Sequence, residues 1–194
     1  MKRTVSNPLG LAVLGLLVEA PMHPHAMAAA LRDRGMDRVF KVTTGSLYDV
    51  VRALERAGWI EARETVRVGA RPERTIYQHT AQGYREFVRW VDELVRVPAA
   101  EYPKFLSAVT YVGVLGPDGA TEALRERADR VRALLDEIRT GHRAVLESGQ
   151  VPRLFVVEAE YAVRMYEAEL GWLEEIVDDI EAGRLAWPES EGEN

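Results

Sequence analysis

Lys41 to Tyr77, KVTTGSLYDVVRALERAGWIEARETVRVGARPERTIY, joins a short amphipathic helix, a glycine stop and two β-like runs separated by a basic turn. Leu47, Val50, Val51 and Leu54 fall at i, i+3, i+4 and i+7, which is one buried stripe of a helix expected over residues 46–57. Ser46, Asp49, Arg52 and Arg56 occupy the other side, Tyr48 stands near the helix start, and the hydroxyls of Thr43, Thr44 and Ser46 offer an N-cap. Short donors and an aromatic hydroxyl thus gather at the positive end of a helix, the end that a phosphate backbone favours. Gly58 supplies a left-handed stop, and Trp59 to Val68 alternates as a strand does. Residues 69–74 read as a turn and Thr75 to His79 as the return strand, so the hairpin carries Arg71 at its tip and Arg67 and Arg74 on its arms.

Upstream, residues 7–20 form a nearly all-apolar helix through Leu9, Leu11, Val13, Leu14, Leu16 and Leu17, which its own domain must cover on most sides. Lys2 and Arg3 before this run, with Ala26-Met27-Ala28 after it, imitate a signal peptide. Asn7 as a cap, Pro8 at the first helical position and Glu19 at the end suit a soluble helix instead. No other run is apolar for long enough to cross a bilayer. Pro24 can open a second helix that passes Met27 and Leu31 and stops at Gly35. His23 and His25 beside it could begin a metal site, but no third or fourth ligand follows at suitable spacing, and His79 and His142 are isolated. They read as polar rings in a turn, and no metal or other cofactor is expected. Helix, helix, helix, hairpin is the order of a winged helix-turn-helix.

Thr80 can cap a helix over 81–96 whose Tyr84, Phe87, Val88, Val91, Leu94 and Val95 make a packing stripe. Phe105 to Leu115 reads as a further apolar helix ending at Gly116-Pro117-Asp118-Gly119, and a long helix is expected over 120–148. After Gly149 and Pro152 a second long helix runs to about Gly183, with Leu154, Val157, Tyr161, Met165, Ala168, Trp172, Ile176 and Ile180 at steps of three or four. That seam exposes more apolar surface than an isolated hairpin can hide, so a second subunit is its simplest cover, with Leu154, Tyr161, Met165, Trp172 and Ile176 as the dimerisation residues. The expected fold is mainly α: a winged helix-turn-helix of three helices and a two-stranded wing over 1–80, a linker helix over 81–97, an α-helical dimerisation domain over 98–186 and a flexible tail over 187–194.

The net charge of −6 over 194 residues looks wrong for a partner of nucleic acid. Residues 1–96, however, carry 15 Lys and Arg against 11 Asp and Glu, while the remainder carries 10 against 20. The acidity belongs to the C-terminal half, leaving a cationic end free to meet a polyanion. The absence of cysteine removes disulfides and thiolate chemistry, in keeping with a reducing, cytoplasmic setting. The acidic run from Glu158 to Asp179 reads as a solvated helix face, since no histidine stands three or four residues from Glu158 or Glu160 to complete a di-iron pattern. With no glycine-rich phosphate loop, nucleophile elbow or metal set, an enzyme is not expected.

LAVLGLLVEAPMHPHAMAAALRDRG, GSLYDVVRALERAGWIEA and GARPERTIYQHTAQG together resemble the PadR-like transcriptional regulators, in particular a branch with a long helical C-terminal region that EYPKF and PRLFVVEAEY also resemble. Pro24-His25 departs from that pattern, where many relatives have Gly-Tyr. The resemblance implies a homodimeric, DNA-binding repressor-type regulator with inverted operator half-sites. It places DNA contacts at Ser46, Tyr48 and Arg52 on the recognition helix and at Arg71 and Arg74 on the wing. Lys41, Thr43 and Thr44 are added from local chemistry alone. Ligand-responsive members of the family imply a small-molecule effector, for which Trp90 and Trp172 are candidates, against a plain core role for both. The competing reading is a winged-helix module for protein contacts without sequence-specific DNA binding.

Overall fold

A computed structural model of the chain describes residues 4–36, 40, 42–66 and 73–187. Lys41, Arg67, Arg71 and the rest of the hairpin connection 67–72 lie outside the described residues, as does the tail from 188 onward. Contacts divide the chain into two compact units, Met1–Ala100 and Glu101–Asn194.

The first unit comprises α1 (Pro8–Glu19), α2 (Pro24–Asp33), α3 (Thr44–Arg56), β1 (Ile60–Val66), β2 (Arg74–His79) and α4 (Ala81–Arg96). Asn7 starts α1 by accepting the Leu9 N–H on Oδ1 at 3.0 Å, and Pro8 gives up no hydrogen bond at the first helical position. The helix is apolar all round because it is packed all round: Leu9, Val13, Leu14, Leu16 and Leu17 are buried, and α2, α3, α4 and β2 all touch it. Burial of each such leucine contributes about 1.5–3 kcal/mol. Leu47, Val50, Val51 and Leu54, the stripe expected on α3, complete this core with Trp59 and Ile60. Gly58 adopts φ +70°, the left-handed geometry its position calls for.

β1 and β2 pair antiparallel from Ile60–His79 to Val66–Arg74, with Arg63 bulged out between Ala62 and Glu64. Arg74, expected on an arm, is the first residue of the return strand. At the other edge of β2, Met22 N–H donates to the Tyr77 carbonyl and Tyr77 N–H to the Met22 carbonyl, both at 3.1 Å. The connection between α1 and α2 is thereby stitched to the hairpin.

The helix set apart as a linker over 81–97 is an integral part of this unit. Thr80 accepts the Gly83 N–H at 3.0 Å and donates to the Gly58 carbonyl at 2.7 Å, locking the start of α4 to the turn before β1. Trp90, 4% exposed, packs edge-on against Trp59 with ring centroids 6.5 Å apart and covers Gly10. Phe87 also leans on the core, whereas Tyr84, Val88, Val91 and Val95 of the expected stripe are exposed.

The second unit holds α5 (Lys104–Val109), α6 (Gly116–Glu147) and α7 (Val157–Glu181). The single helix expected over 105–115 is broken: α5 ends at Val109 and Val112–Leu115 forms a 3₁₀ turn. Thr110 turns its hydroxyl back onto the Leu106 carbonyl at 3.0 Å, and Gly113 follows in the 3₁₀ turn, so local preference does not carry the helix forward. Gly116-Pro117, expected to end a helix, begins one instead, because Gly116 reverses the chain at φ +67° and Pro117 suits the first turn of α6. Ala120, Leu124, Ala128 and Val131 of α6 pack on Leu173, Val177 and Ile180 of α7, with Tyr166, Leu170 and Ile176 partly buried beside them. Ile176 therefore serves the chain's own core, as does Ile180. Leu154, Tyr161 and Met165 lie outside that packing and are 75%, 68% and 50% exposed. Trp187, the first residue of the expected tail, is docked: its ring Nε1–H donates to the Gly113 carbonyl at 2.8 Å and its ring packs on the helical core.

Candidate nucleic-acid interface

The start of α3 is built by a reciprocal cap. Thr43 Oγ1 accepts the Ser46 N–H at 3.1 Å while Ser46 Oγ accepts the Thr43 N–H at 3.0 Å, a capping box in which serine stands where glutamate is usual. The helix thus begins two residues earlier than its apolar stripe implies, and Ser46 is its third residue. The Ser46 hydroxyl is engaged with Thr43 on three atoms, which makes it a determinant of where the helix begins. Thr44 and Gly45 ahead of it are exposed and free of bulk, so the positive end of the helix faces solvent.

One turn further, Tyr48 is 42% exposed, and Arg52 lies along the same surface with Nη2 2.5 Å from Asp49 Oδ1. This ion pair is exposed on both sides, so it holds the guanidinium in place more than it stabilises the fold. Tyr77 rises from β2 behind them, its phenol pushed up by burial and then by Glu55, to which it is hydrogen-bonded.

Arg74 reaches across to α2, where its Nη1 lies 3.3 Å from His23 Nε2. His23 is the N-cap of α2: its Nδ1 accepts the Ala26 N–H at 3.0 Å. Burial, then the charges of Arg74 and His25, hold its imidazole below the usual range, so it is neutral at pH 7. His23, His25, Tyr48, Arg52, Arg74 and Tyr77 line one hollow of about 330 Å³. The structure therefore gathers Tyr48, Arg52 and Arg74 from the expected DNA-contacting set and adds His23 and His25, which the sequence alone places in a turn. The available signal was His-Pro at a helix start, which fits a cap followed by a first-turn proline.

The two tryptophans considered as ligand residues part company. Trp90 is enclosed in the core of the first unit and has a structural role there. Trp172 is 38% exposed in the second unit, stacked edge-on with Phe105 at 6.0 Å. It borders a hollow of about 340 Å³ together with Leu106, Val109, Arg127 and Glu169. Arg127 lies with its guanidinium 3.5 Å from the Phe105 ring centre and pairs with Glu169 at 2.5 Å. Among the described residues, no group of acidic or histidine side chains is arranged to hold a metal, and no helix is long and apolar enough to cross a membrane.

Residues 13–89 match the family described as "Transcriptional regulator PadR-like family". Among solved structures, Bacillus subtilis PadR in complex with operator DNA is 19% identical, aligned over 89% of this chain and 99% of that one with a TM-score of 0.74. The same protein in complex with p-coumaric acid is 17% identical over 92% of this chain and 99% of that one, also with a TM-score of 0.74. The Vibrio cholerae virulence activator AphA is 14% identical over 90% and 99%, with a TM-score of 0.67. At such identities the likeness is one of fold. No curated protein matches the chain.

Proposed function

We propose that this chain, whose residues 13–89 match the PadR-like family of transcriptional regulators, is a repressor of that kind that binds inverted-repeat operator DNA as a homodimer. The observation that carries this reading is the exposed, side-chain-capped N-terminus of α3 with Tyr48, Arg52 and Arg74 on one surface of the cationic half. In this arrangement the start of α3 enters the major groove, with Thr43, Thr44 and Ser46 at its leading edge, while Lys41, Arg71 and Arg74 meet phosphates or the minor groove. Two-fold symmetry then sets half-sites about 10 base pairs apart, or a multiple of that.

The homodimer is supported by the second apolar face of α7. Tyr161 and Met165 have no cover within the chain's own α6–α7 packing, nor has Leu154 in the 3₁₀ turn just before α7, and Trp172 is partly exposed. A small-molecule effector is the finer part of the reading. Solved relatives of this fold include complexes with operator DNA and with p-coumaric acid, and the hollow beside Trp172 offers an aromatic wall with an adjacent guanidinium. The protein acts in the cytoplasm in this reading, where its DNA is. Anisotropy titration of the full-length protein against the promoter beside its own gene tests the proposal. Salt-dependent binding with two protomers per duplex is expected, and failure to bind that promoter or any fragment selected from the genome refutes it.

A further inference from the structure

His23 faces two demands that one neutral ring cannot meet. Its Nδ1 accepts the Ala26 N–H at 3.0 Å, which puts the ring proton on Nε2. Nε2 lies 3.3 Å from Nη1 of Arg74, a nitrogen that can only donate. With the cap kept, two N–H groups face one another. With the other tautomer, the Ala26 N–H loses its partner. An oxygen acceptor seated beside the ring and the guanidinium removes the conflict by taking a hydrogen bond from each.

The surroundings specify the charge of that acceptor. His25 faces the same hollow from α2, Tyr48 and Arg52 from α3, and Arg74 and Tyr77 from β2. Among the described residues the carboxylate lining it is Glu73, while Asp49 is engaged by Arg52 and Glu55 lies behind Tyr77. Arg74 and the His23 ring turn only donors towards one another, which selects an oxygen acceptor between them, and the cationic fork of Arg74 suits a tetrahedral oxyanion. A phosphodiester is small against a hollow of about 330 Å³ that opens on the surface bearing Tyr48 and Arg52.

We propose that His23 and Arg74 together hold one phosphodiester of operator DNA in this hollow, and that the bond from His23 makes operator affinity rise as pH falls. The proposal rests on the regulator reading above. In the free protein the ring is held neutral by burial and by the positive neighbours Arg74 and His25. A phosphate between ring and guanidinium reverses that bias, so the complex holds the His23 proton more tightly than the free protein does. Binding then takes up a proton, and affinity increases as pH drops from the ring's value in the complex towards its value when free. Each unit of difference between the two is worth tenfold in affinity.

The test is anisotropy titration of full-length protein on a labelled duplex, either the promoter fragment beside its own gene or the tightest fragment selected from the genome, between pH 5.5 and 8 at fixed ionic strength. The variants are His23→Asn, His23→Asp and His25→Asn. Asparagine and aspartate are both strong N-caps, so α2 keeps its start while the ring is lost, and far-UV circular dichroism confirms that the fold survives. The expected result is wild-type affinity roughly three- to tenfold higher at pH 6 than at pH 8. His23→Asn should bind more weakly at pH 6 with a flattened profile, and His23→Asp more weakly still. A His23→Asn protein with wild-type affinity and pH slope overturns the proposal, and a slope abolished only by His25→Asn overturns the assignment to His23. Wild-type protein that binds no duplex at any pH refutes the regulator reading itself, a result distinct from binding that ignores position 23.

Discussion

Replacing Gly83 by alanine should be far more damaging than its place in the first turn of a helix implies. A Cβ at Gly83 would lie 1.8 Å from the Trp59 carbonyl oxygen, 2.6 Å from its carbon and 2.9 Å from its Cα. Contacts under 3.0 Å are essentially never seen for real Cβ atoms, so α4 and the start of β1 must separate by about 1 Å or more. The struck group is backbone and has no rotamer to escape into. The same carbonyl accepts the Thr80 N–H at 3.0 Å, so the movement also pulls on the cap of α4. Overpacking costs about 1–3 kcal/mol where side chains can adjust, and a lost hydrogen bond adds about 1 kcal/mol. Alanine returns up to about 1 kcal/mol of helix propensity, leaving a net loss of about 1–3 kcal/mol. Urea unfolding of Gly83→Ala against wild type measures it, with Gly45→Ala as the control. Gly45 is also in the first turn of a helix but has nothing within 4 Å of an added Cβ, so its variant should match or exceed wild-type stability. Gly83→Ala within about 0.5 kcal/mol of wild type would refute the close approach of α4 to the Trp59 backbone.

Thr43→Ala and Ser46→Ala should each cost about 0.5–2 kcal/mol, and the double variant should cost less than their sum, because each single change already breaks the reciprocal pair; strictly additive values in a double-mutant cycle of urea unfolding would contradict the box. Arg34 holds the Glu19 carboxyl below its usual range, chiefly by their hydrogen bond, so this pair adds stability above about pH 4.5 that is lost as pH falls through the lowered folded value. Both side chains are about half exposed, so Glu19→Gln should cost no more than about 1 kcal/mol at pH 7, and the gap to wild type should narrow as pH falls below about 4.5; a gap that stays constant through that fall would argue against the pair. Tyr161→Glu with Met165→Glu alters only exposed positions of α7 and should leave helicity intact while weakening self-association about thirtyfold or more; sedimentation equilibrium indistinguishable from wild type would move the dimer interface elsewhere.

The elements that sequence reasoning placed well are those whose signals are local. Asn7-Pro8, Thr80 and Gly58 act within a turn of chain, and each sits where its own geometry demands. The stripe of α3 was equally plain, because a short helix against a single core shows one apolar face. The failures share a different cause. On α7 two sets of apolar residues both recur at three or four, and periodicity cannot say which meets the chain's own α6. Leu173, Val177 and Ile180 do so, while Tyr161 and Met165 do not. Apolar content misled over 105–115, where the Thr110 hydroxyl, Gly113 and the Gly116 that follows decide the backbone although most side chains are valine, leucine or aromatic. At the candidate interface, Tyr48 and Arg52 were visible from their helix, but His23 was not. Its role depends on Arg74, 51 residues away in sequence, and on a cap that histidine seldom makes.

The paired bonds between Met22 and Tyr77 have a consequence for how this protein can vary. They tie the root of the hairpin to the start of α2 entirely through main-chain atoms, so the contact is indifferent to which side chains stand at the two positions. Substitution at either residue by anything but proline therefore leaves the anchorage in place, and alanine scanning would pass over it. Inserting or deleting one residue in the short connection between α1 and α2 would slide the pairing and turn alternate groups away from the strand. The hairpin's bearing is thus protected against point changes and vulnerable to changes of length, so its side chains can be revised while its aim is kept.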